Sequence, residues 1–219
     1  KFDINQTSGV VTFKTAPDYE SGIIQYKFSA TVSDGNYSST QDVTINIDNT
    51  NDNAPVFRSA DNKSVDENNT KAITLLADDA DGGKLTYRIT AGVDDADAFD
   101  INQTSGVVTF KNSKKPDYES VKKQYKFSAT VTDDGGSSTT QDVTINIDNI
   151  NDNTPVFTSD NNNSVEENQT DAITLVASDA DNKIAILNPL EYGITAGVDD
   201  ADKFDINQTS GVVTFKTAP

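Results

Sequence analysis

Apolar and polar positions alternate with a period of two along much of this chain. Val43, Ile45 and Ile47 are interleaved with Thr44, Asn46 and Asp48, the pattern of a strand with one buried face. Tyr125, Phe127, Ala129 and Val131 alternate in the same way with Gln124, Lys126, Ser128 and Thr130. Further short strands are predicted at 73–77, 85–90, 99–101 and 107–110, set apart by turn formers such as Thr104-Ser105-Gly106 and Asp81-Gly82-Gly83. No window carries a helical stripe. Roughly seven short strands in about 100 residues predict an all-β fold of the immunoglobulin-like sandwich type.

The pattern recurs. Residues 1–17, KFDINQTSGVVTFKTAP, return unchanged at 203–219, and FDINQTSGVVTFK stands again at 99–111. QDVTINIDNTNDNAPVF at 41–57 returns at 141–157 with two changes, and AITLLADDAD at 72–81 returns as AITLVASDAD at 172–181. Small insertions fall at turns, at Lys114-Lys115 and in a longer loop around Asn182 to Pro189. A period near 100 residues suits one small complete domain per repeat. The boundaries are expected at the two Asn-Asp-Asn-X-Pro stretches, because Pro55 and Pro155 can begin a strand but cannot occupy the middle of a sheet. That places the C-terminal half of a repeat at 1–53, a complete repeat at 54–153 and the N-terminal part of another at 154–219. Neither half could bury its core alone. A window on a longer array, or halves that complement one another between molecules, would each account for this. The identical 17 residues at both ends are redundant under complementation, which favours the window.

Composition narrows the chemistry. The 219 residues carry 35 acidic and 17 basic side chains, a formal charge of −18, so nucleic acid and anionic membrane surfaces are repelled and cations are favoured. With no His, Cys, Met or Trp, there is no disulfide staple, no thiolate and no imidazole base or ligand. No apolar run is long enough to cross a membrane. The missing initiator methionine and the lack of a leader point to an internal piece of something longer.

The carboxylates occupy fixed places in each repeat: Asp18-Tyr19-Glu20 and Asp117-Tyr118-Glu119, Asp52 and Asp152, Glu67-Asn68 and Glu167-Asn168, Asp79-Ala80-Asp81 and Asp179-Ala180-Asp181, Asp34 and Asp133. Strand parity carries Asp133 just past the inward set that ends at Val131, toward a pole of the sandwich. Asp79 and Asp81, two apart in an extended segment, share one side. With NDNAPVF at the junction, Glu-Asn early in the domain, PDYE in the middle, Asp-Ala-Asp after the second strand and Ser-Gly-Val-Val-Thr, the chain resembles tandem cadherin repeats over its whole length, most of all the cadherin-like repeats of large bacterial surface proteins.

That resemblance implies Greek-key sandwiches joined end to end, with Ca²⁺, about three ions, at each interdomain junction. Carried over residue by residue, it implies that Asp18, Glu20, Asn51, Asp52, Asn53, Asp79, Asp81 and Asp133 serve the first junction. Glu67, Asp117, Glu119, Asn151, Asp152, Asn153, Asp179 and Asp181 would serve the second. The main-chain carbonyls of Thr50 and Ile150 could contribute, and Asp34 and Glu167 would serve other junctions. A complete junction would gather seven carboxylates, from Glu, Asp-x-Glu, the linker Asp, Asp-x-Asp and the final Asp, which six calcium charges would nearly neutralise. All-oxygen sets of this kind suit Ca²⁺ better than Mg²⁺. Asn49 and Asn149 stand where the family usually has an Asp, so an amide oxygen would replace a carboxylate there.

A lone Asp-x-Asp is usually an acidic turn, and only the ordered recurrence of five motifs lifts it to a metal site. The run Asp94-Asp95-Ala96-Asp97 lies outside the family's set and reads as a solvated loop. No EF-hand fits, because position twelve from Asp79 is Thr90. A carboxylate pair copied in every repeat is improbable as a glycosidase, and serine has no histidine partner, so no enzyme is expected. Asn-x-Ser/Thr sequons begin at Asn5, Asn36, Asn62, Asn68, Asn102, Asn162, Asn168 and Asn207. The expectation is an extracellular, calcium-stiffened rod of a surface adhesin, in tandem with further copies of the repeat and meeting homotypic partners or surface polysaccharide. A structural filament, sheath or matrix fibre and a carbohydrate-binding module are the alternatives.

Overall fold

The alternating segments become strands in the computed structural model, which describes residues 1–181 and 189–219. The expected insertion at Asn182–Pro189 therefore lies outside the described residues except for Pro189. Contacts divide the chain into two compact units, Lys1–Lys63 with Thr70–Lys114 and Tyr125–Ile145, and Ser64–Asn69 with Lys115–Gln124 and Asn146–Pro219.

In the first unit, β1 (Phe2–Ile4) and β2 (Val11–Phe13) form a hairpin, as do β3 (Gln25–Ser33) and β4 (Ser38–Asn46), paired from Gln25–Asn46 to Ser33–Ser38. β5 (Val56–Phe57) is followed by β6 (Asn62–Asp66), β7 (Lys71–Thr74), β8 (Ala77–Asp78) and β9 (Thr86–Ile89). β10 (Phe99–Ile101), β11 (Val107–Phe110), β12 (Gln124–Thr132) and β13 (Ser138–Asp148) complete the middle repeat. Its two layers are the sheet β10-β11-β7 and the sheet β6-β13-β12-β9, with β5 paired to β8. Strands β6, β12 and β13 carry residues of both units.

The predicted strand 73–77 is two strands. β7 pairs with β11 and β8 with β5, so the chain changes sheets between them. Leu75 at the crossing is fully buried while Leu76 turns outward, 56% exposed. The turn is pinned where the Leu75 N–H donates to the Gly106 carbonyl and the Ala77 N–H donates to the Tyr87 hydroxyl. The other predicted strands of this repeat stand as β9, β10 and β11.

The inward-facing residues meet as predicted. Phe127, Ala129, Val131, Val143 and Ile145 are fully buried, and Phe99 lies 4.8 Å from Phe110 and 4.7 Å from Phe127, centroid to centroid. The stretch read as a solvated loop differs from that reading: Ala96–Ala98 form a short 3₁₀ turn whose two alanines are buried, and the Asp95 carboxylate accepts a hydrogen bond from the Lys126 N–H. Asp95 thereby ties this turn to β12, while Asp94 and Asp97 are exposed.

The second unit carries β14 (Val156–Phe157) paired to β16 (Ala177–Ser178), and the sheet β15 (Asp171–Thr174), β18 (Val212–Phe215), β17 (Phe204–Ile206) in that order. Its registers copy those of the middle repeat: Phe204 faces Phe215 as Phe99 faces Phe110. Among the described residues no helix is long and apolar enough to cross a membrane.

Candidate metal centre

Glu67 follows β6 and is 2% exposed. A buried carboxylate needs hydrogen bonds. It gets two, from the Tyr118 N–H at 2.6 Å and the Ile150 N–H at 2.9 Å, which tie the PDYE turn and the linker to one side chain. The turn is shaped by Asp117, whose Oδ1 accepts from the Glu119 and Ser120 N–H groups. Glu119 thereby points at Glu67, and Asp152 from the linker and Asp181 after β16 converge on the same place. One oxygen from each of these four carboxylates lies within 4.8 Å of the other three.

A second, shallower cluster repeats the plan within the first unit: oxygens of Glu20, Asp52 and Asp81 lie within the same 4.8 Å. Asp18 shapes its turn by accepting from the Glu20 N–H. Asn53 fixes Asp81, its N–H donating to Oδ2 at 2.6 Å and its amide to Oδ1 at 2.9 Å, while the Asp52 N–H also donates to Oδ2. Asn153 holds Asp181 with the same two bonds, at 2.7 and 2.8 Å. Asn49 and Asn149 each donate their amide to the main-chain carbonyl of Asp81 and Asp181.

Asp79 and Asp179 each accept from the N–H two residues on, at Asp81 and Asp181. The other oxygen of Asp79, and Oε1 of Glu119, are buried without a hydrogen-bond partner. Asp133 is buried, 6% exposed; its Oδ1 accepts from the Ser137 N–H, and its Oδ2 meets the Asn51 amide in the orientation that satisfies both amide atoms. Thr50 lines the same hollow as Asp18, Glu20, Asp52 and Asn53, and Asn151 is exposed in the matching linker. Two expected residues stand apart: Asp34 closes its own turn through the Asn36 and Tyr37 N–H groups, and Glu167 is exposed.

The carboxylates do not titrate alike. Burial, then the charges of Glu67 and Asp181, raises Glu119 above its ordinary value. Glu20 is raised too: its own N–H opposes the rise, but burial and the neighbours Asp18 and Asp81 outweigh it. The Asn53 amide holds Asp81 low, and at Asp181 the Asn153 amide and the linker N–H groups overcome burial to the same effect. In each cluster one carboxylate resists ionisation beside a partner that is held ionised, as expected where negative oxygens crowd without a counter-charge.

One residue escaped the sequence reading. Asn68, in a left-handed conformation with φ 62°, donates its amide to Asp152 Oδ2 at 2.5 Å. The signal was the Glu-Asn pair at 67–68 and again at 167–168, since Asn tolerates φ > 0 better than most residues, and Asn168 has φ 64°.

The donor set is hard oxygen throughout, with two buried oxygens lacking partners and no nitrogen or sulfur ligand within reach. These residues fit Ca²⁺.

Comparison with known proteins agrees with this architecture. A family model described as bacterial Ig domain matches residues 51–146. Cadherin-87A of Drosophila melanogaster is 34% identical over 97% of this chain and 11% of its own length, and protocadherin Fat 2 of Mus musculus 31% identical over 98% and 5%. The chain thus spans about a tenth or less of these curated relatives. Among solved structures, the extracellular cadherin domains 3–6 of protocadherin gamma B2 match 99% of the chain with a TM-score of 0.74 at 23% identity, covering 58% of that chain, a likeness of fold. Mouse cadherin-23 EC22–24 matches all of it with a TM-score of 0.62 at 25% identity, covering 72% of that chain. The chain belongs to the cadherin-repeat family, an all-β tandem of immunoglobulin-like modules.

Proposed function

We propose that the chain is a segment of an extracellular adhesive rod whose successive repeats, 1–53, 54–153 and 154–219, are stiffened by Ca²⁺ at their junctions. The observation that carries this reading is the convergence of the carboxylates of Glu67, Glu119, Asp152 and Asp181 within 4.8 Å. Calcium would be held there by these carboxylates with Asp117, Asp179, Asn151, Asn153 and the Ile150 carbonyl. At the other cluster Glu20, Asp52 and Asp81 would act with Asp18, Asp79, Asp133, Asn51, Asn53 and the Thr50 carbonyl, at about three ions per junction. The ion supplies the counter-charge that lets the whole set ionise. The chain's own contribution is positional: Glu67 anchors turn and linker, Asn53 and Asn153 aim the Asp-x-Asp carboxylates, and Asn68 holds Asp152.

Extracellular calcium modules bind with dissociation constants of roughly 10⁻⁴ to 10⁻³ M, so such sites fill outside a cell and stay empty in a cytosol. The cadherin relatives support adhesion as the setting. A purely structural fibre is favoured by one observation, the near-identity of the copies, since a binding face is expected on one specialised repeat. Solution scattering and thermal melting with calcium and with EGTA test the stiffening. Calcium should narrow the spread of particle dimensions and raise the midpoint; profiles and midpoints unchanged by EGTA would overturn it.

A further inference from the structure

Among the described residues, one buried cation has no part in the calcium site. Lys123 is half-buried, and its Nζ is shut off from solvent with no hydrogen-bond partner. The ammonium lies 3.8 Å from the centre of the Tyr118 ring. An aromatic face attracts a cation, but it does not replace the hydrogen bonds that a buried ammonium gives up. A further source of attraction is needed.

The sequence singles out the same residue. Residues 18–32 and 117–131 are identical except at three adjacent positions, where Gly22-Ile23-Ile24 of the first copy answers to Val121-Lys122-Lys123 of the second. Lys123 thus stands at the place of Ile24, in step with the buried Tyr125 and Phe127, where an apolar side chain is the ordinary choice. It follows the Asp117-Tyr118-Glu119 turn, which belongs to the acidic cluster. The Tyr118 N–H donates to Glu67 Oε2 at 2.6 Å, and Glu119 brings a carboxylate whose Oε1 is buried without a partner. The Lys123 carbonyl accepts from the Ile147 N–H at the entry to the linker. Because a tyrosine ring centre stands about 4 Å from its own Cα, these contacts keep the ammonium within about 12 Å of the Glu67 carboxylate.

We propose that Lys123 sets the calcium affinity of the second cluster: its ammonium is a resident counter-charge that steadies the crowded carboxylates without metal and weakens Ca²⁺ binding there. This rests on the calcium reading given above. The sign comes from electrostatics. Without metal, Glu67, Glu119, Asp152 and Asp181 attract the ammonium, and partly buried charges are screened by salt less than exposed ones. With a divalent charge among them, the same ammonium is repelled. Whatever Lys123 adds to the metal-free state relative to the bound one is taken from the affinity. Lys123 acts through its charge alone, since an ammonium has donors only and cannot ligate a cation.

The test uses Lys123→Met, which removes the charge and keeps the side-chain length, beside Lys123→Arg, which keeps the charge. Both are placed in a parent chain whose first cluster is silenced by Asp52→Asn and Asp81→Asn, so that calorimetry reads the second cluster. Lys123→Met should bind Ca²⁺ about 3- to 10-fold more tightly than the parent, and Lys123→Arg should match the parent. A metal-free readout accompanies it. In EGTA at low salt, the change in melting midpoint caused by Lys123→Met should be more destabilising in the parent than in a Glu119→Gln background, where one of the facing charges is gone. Affinity unmoved or weakened by Lys123→Met, Lys123→Arg behaving like Lys123→Met, or additive effects in EGTA would overturn the proposal while the calcium reading stands. A parent that binds no calcium would overturn both.

Discussion

Glu119 is the residue where burial and repulsion act together most plainly. Burial, Glu67 and Asp181 raise its pKa. A raised carboxyl contributes stability that is full below its ordinary value and is lost as pH rises through the folded value. Asp181 and Asp34 are lowered, so their contribution is present above the ordinary aspartate value and is lost on acidification. Without calcium, the midpoint should therefore rise as pH falls from neutral toward about 5, then fall below the usual aspartate range near 3.9. Glu119→Gln should reduce the first limb to the share of Glu20, which is raised too, and leave the second. A midpoint that falls steadily from neutral in metal-free wild type would contradict this assignment. Much of the cluster was legible as sequence, because the motifs repeat in order. Asn68 was not, since its role depends on a left-handed backbone that aims an amide across to Asp152. The family resemblance places Asp34 and Glu167 at other junctions, and neither belongs to the two clusters.

Between strands, the pattern of alternation located most elements but not where the chain changes sheets. Residues 73–77 read as one strand because their hydrophobicity is continuous. The break at Leu75 comes from partners distant in sequence, Gly106 and Tyr87, which no local window contains. The same contact makes a prediction. Gly106 has φ 67°, and a Cβ there would stand 2.3 Å from the Leu75 carbonyl oxygen. Gly106→Ala should destabilise the middle repeat by more than about 1 kcal/mol, read as a drop in denaturant midpoint. An unchanged midpoint would show that the crossing is slack. Within the acidic run at 94–97 the solvated reading holds for Asp94 and Asp97, which are exposed, but not for Ala96, which faces the core, nor for Asp95, whose carboxylate accepts from the Lys126 N–H.

For the whole molecule, the charge of −18 and the missing cysteine and histidine find one explanation if metal ions do the work that disulfides do elsewhere. Small sandwiches of limited apolar content need a staple, and carboxylates drawn from turn, linker and strand end supply one only when a cation is present. The direct test is a calorimetric titration of the calcium-free chain with Ca²⁺, beside a chain carrying Glu119→Gln and Asp181→Asn. Saturable binding with a dissociation constant of roughly 10⁻⁴ to 10⁻³ M, clearly weakened in the double variant, is the expected result. Absence of saturable binding, or binding that the double variant leaves unchanged, would contradict the account.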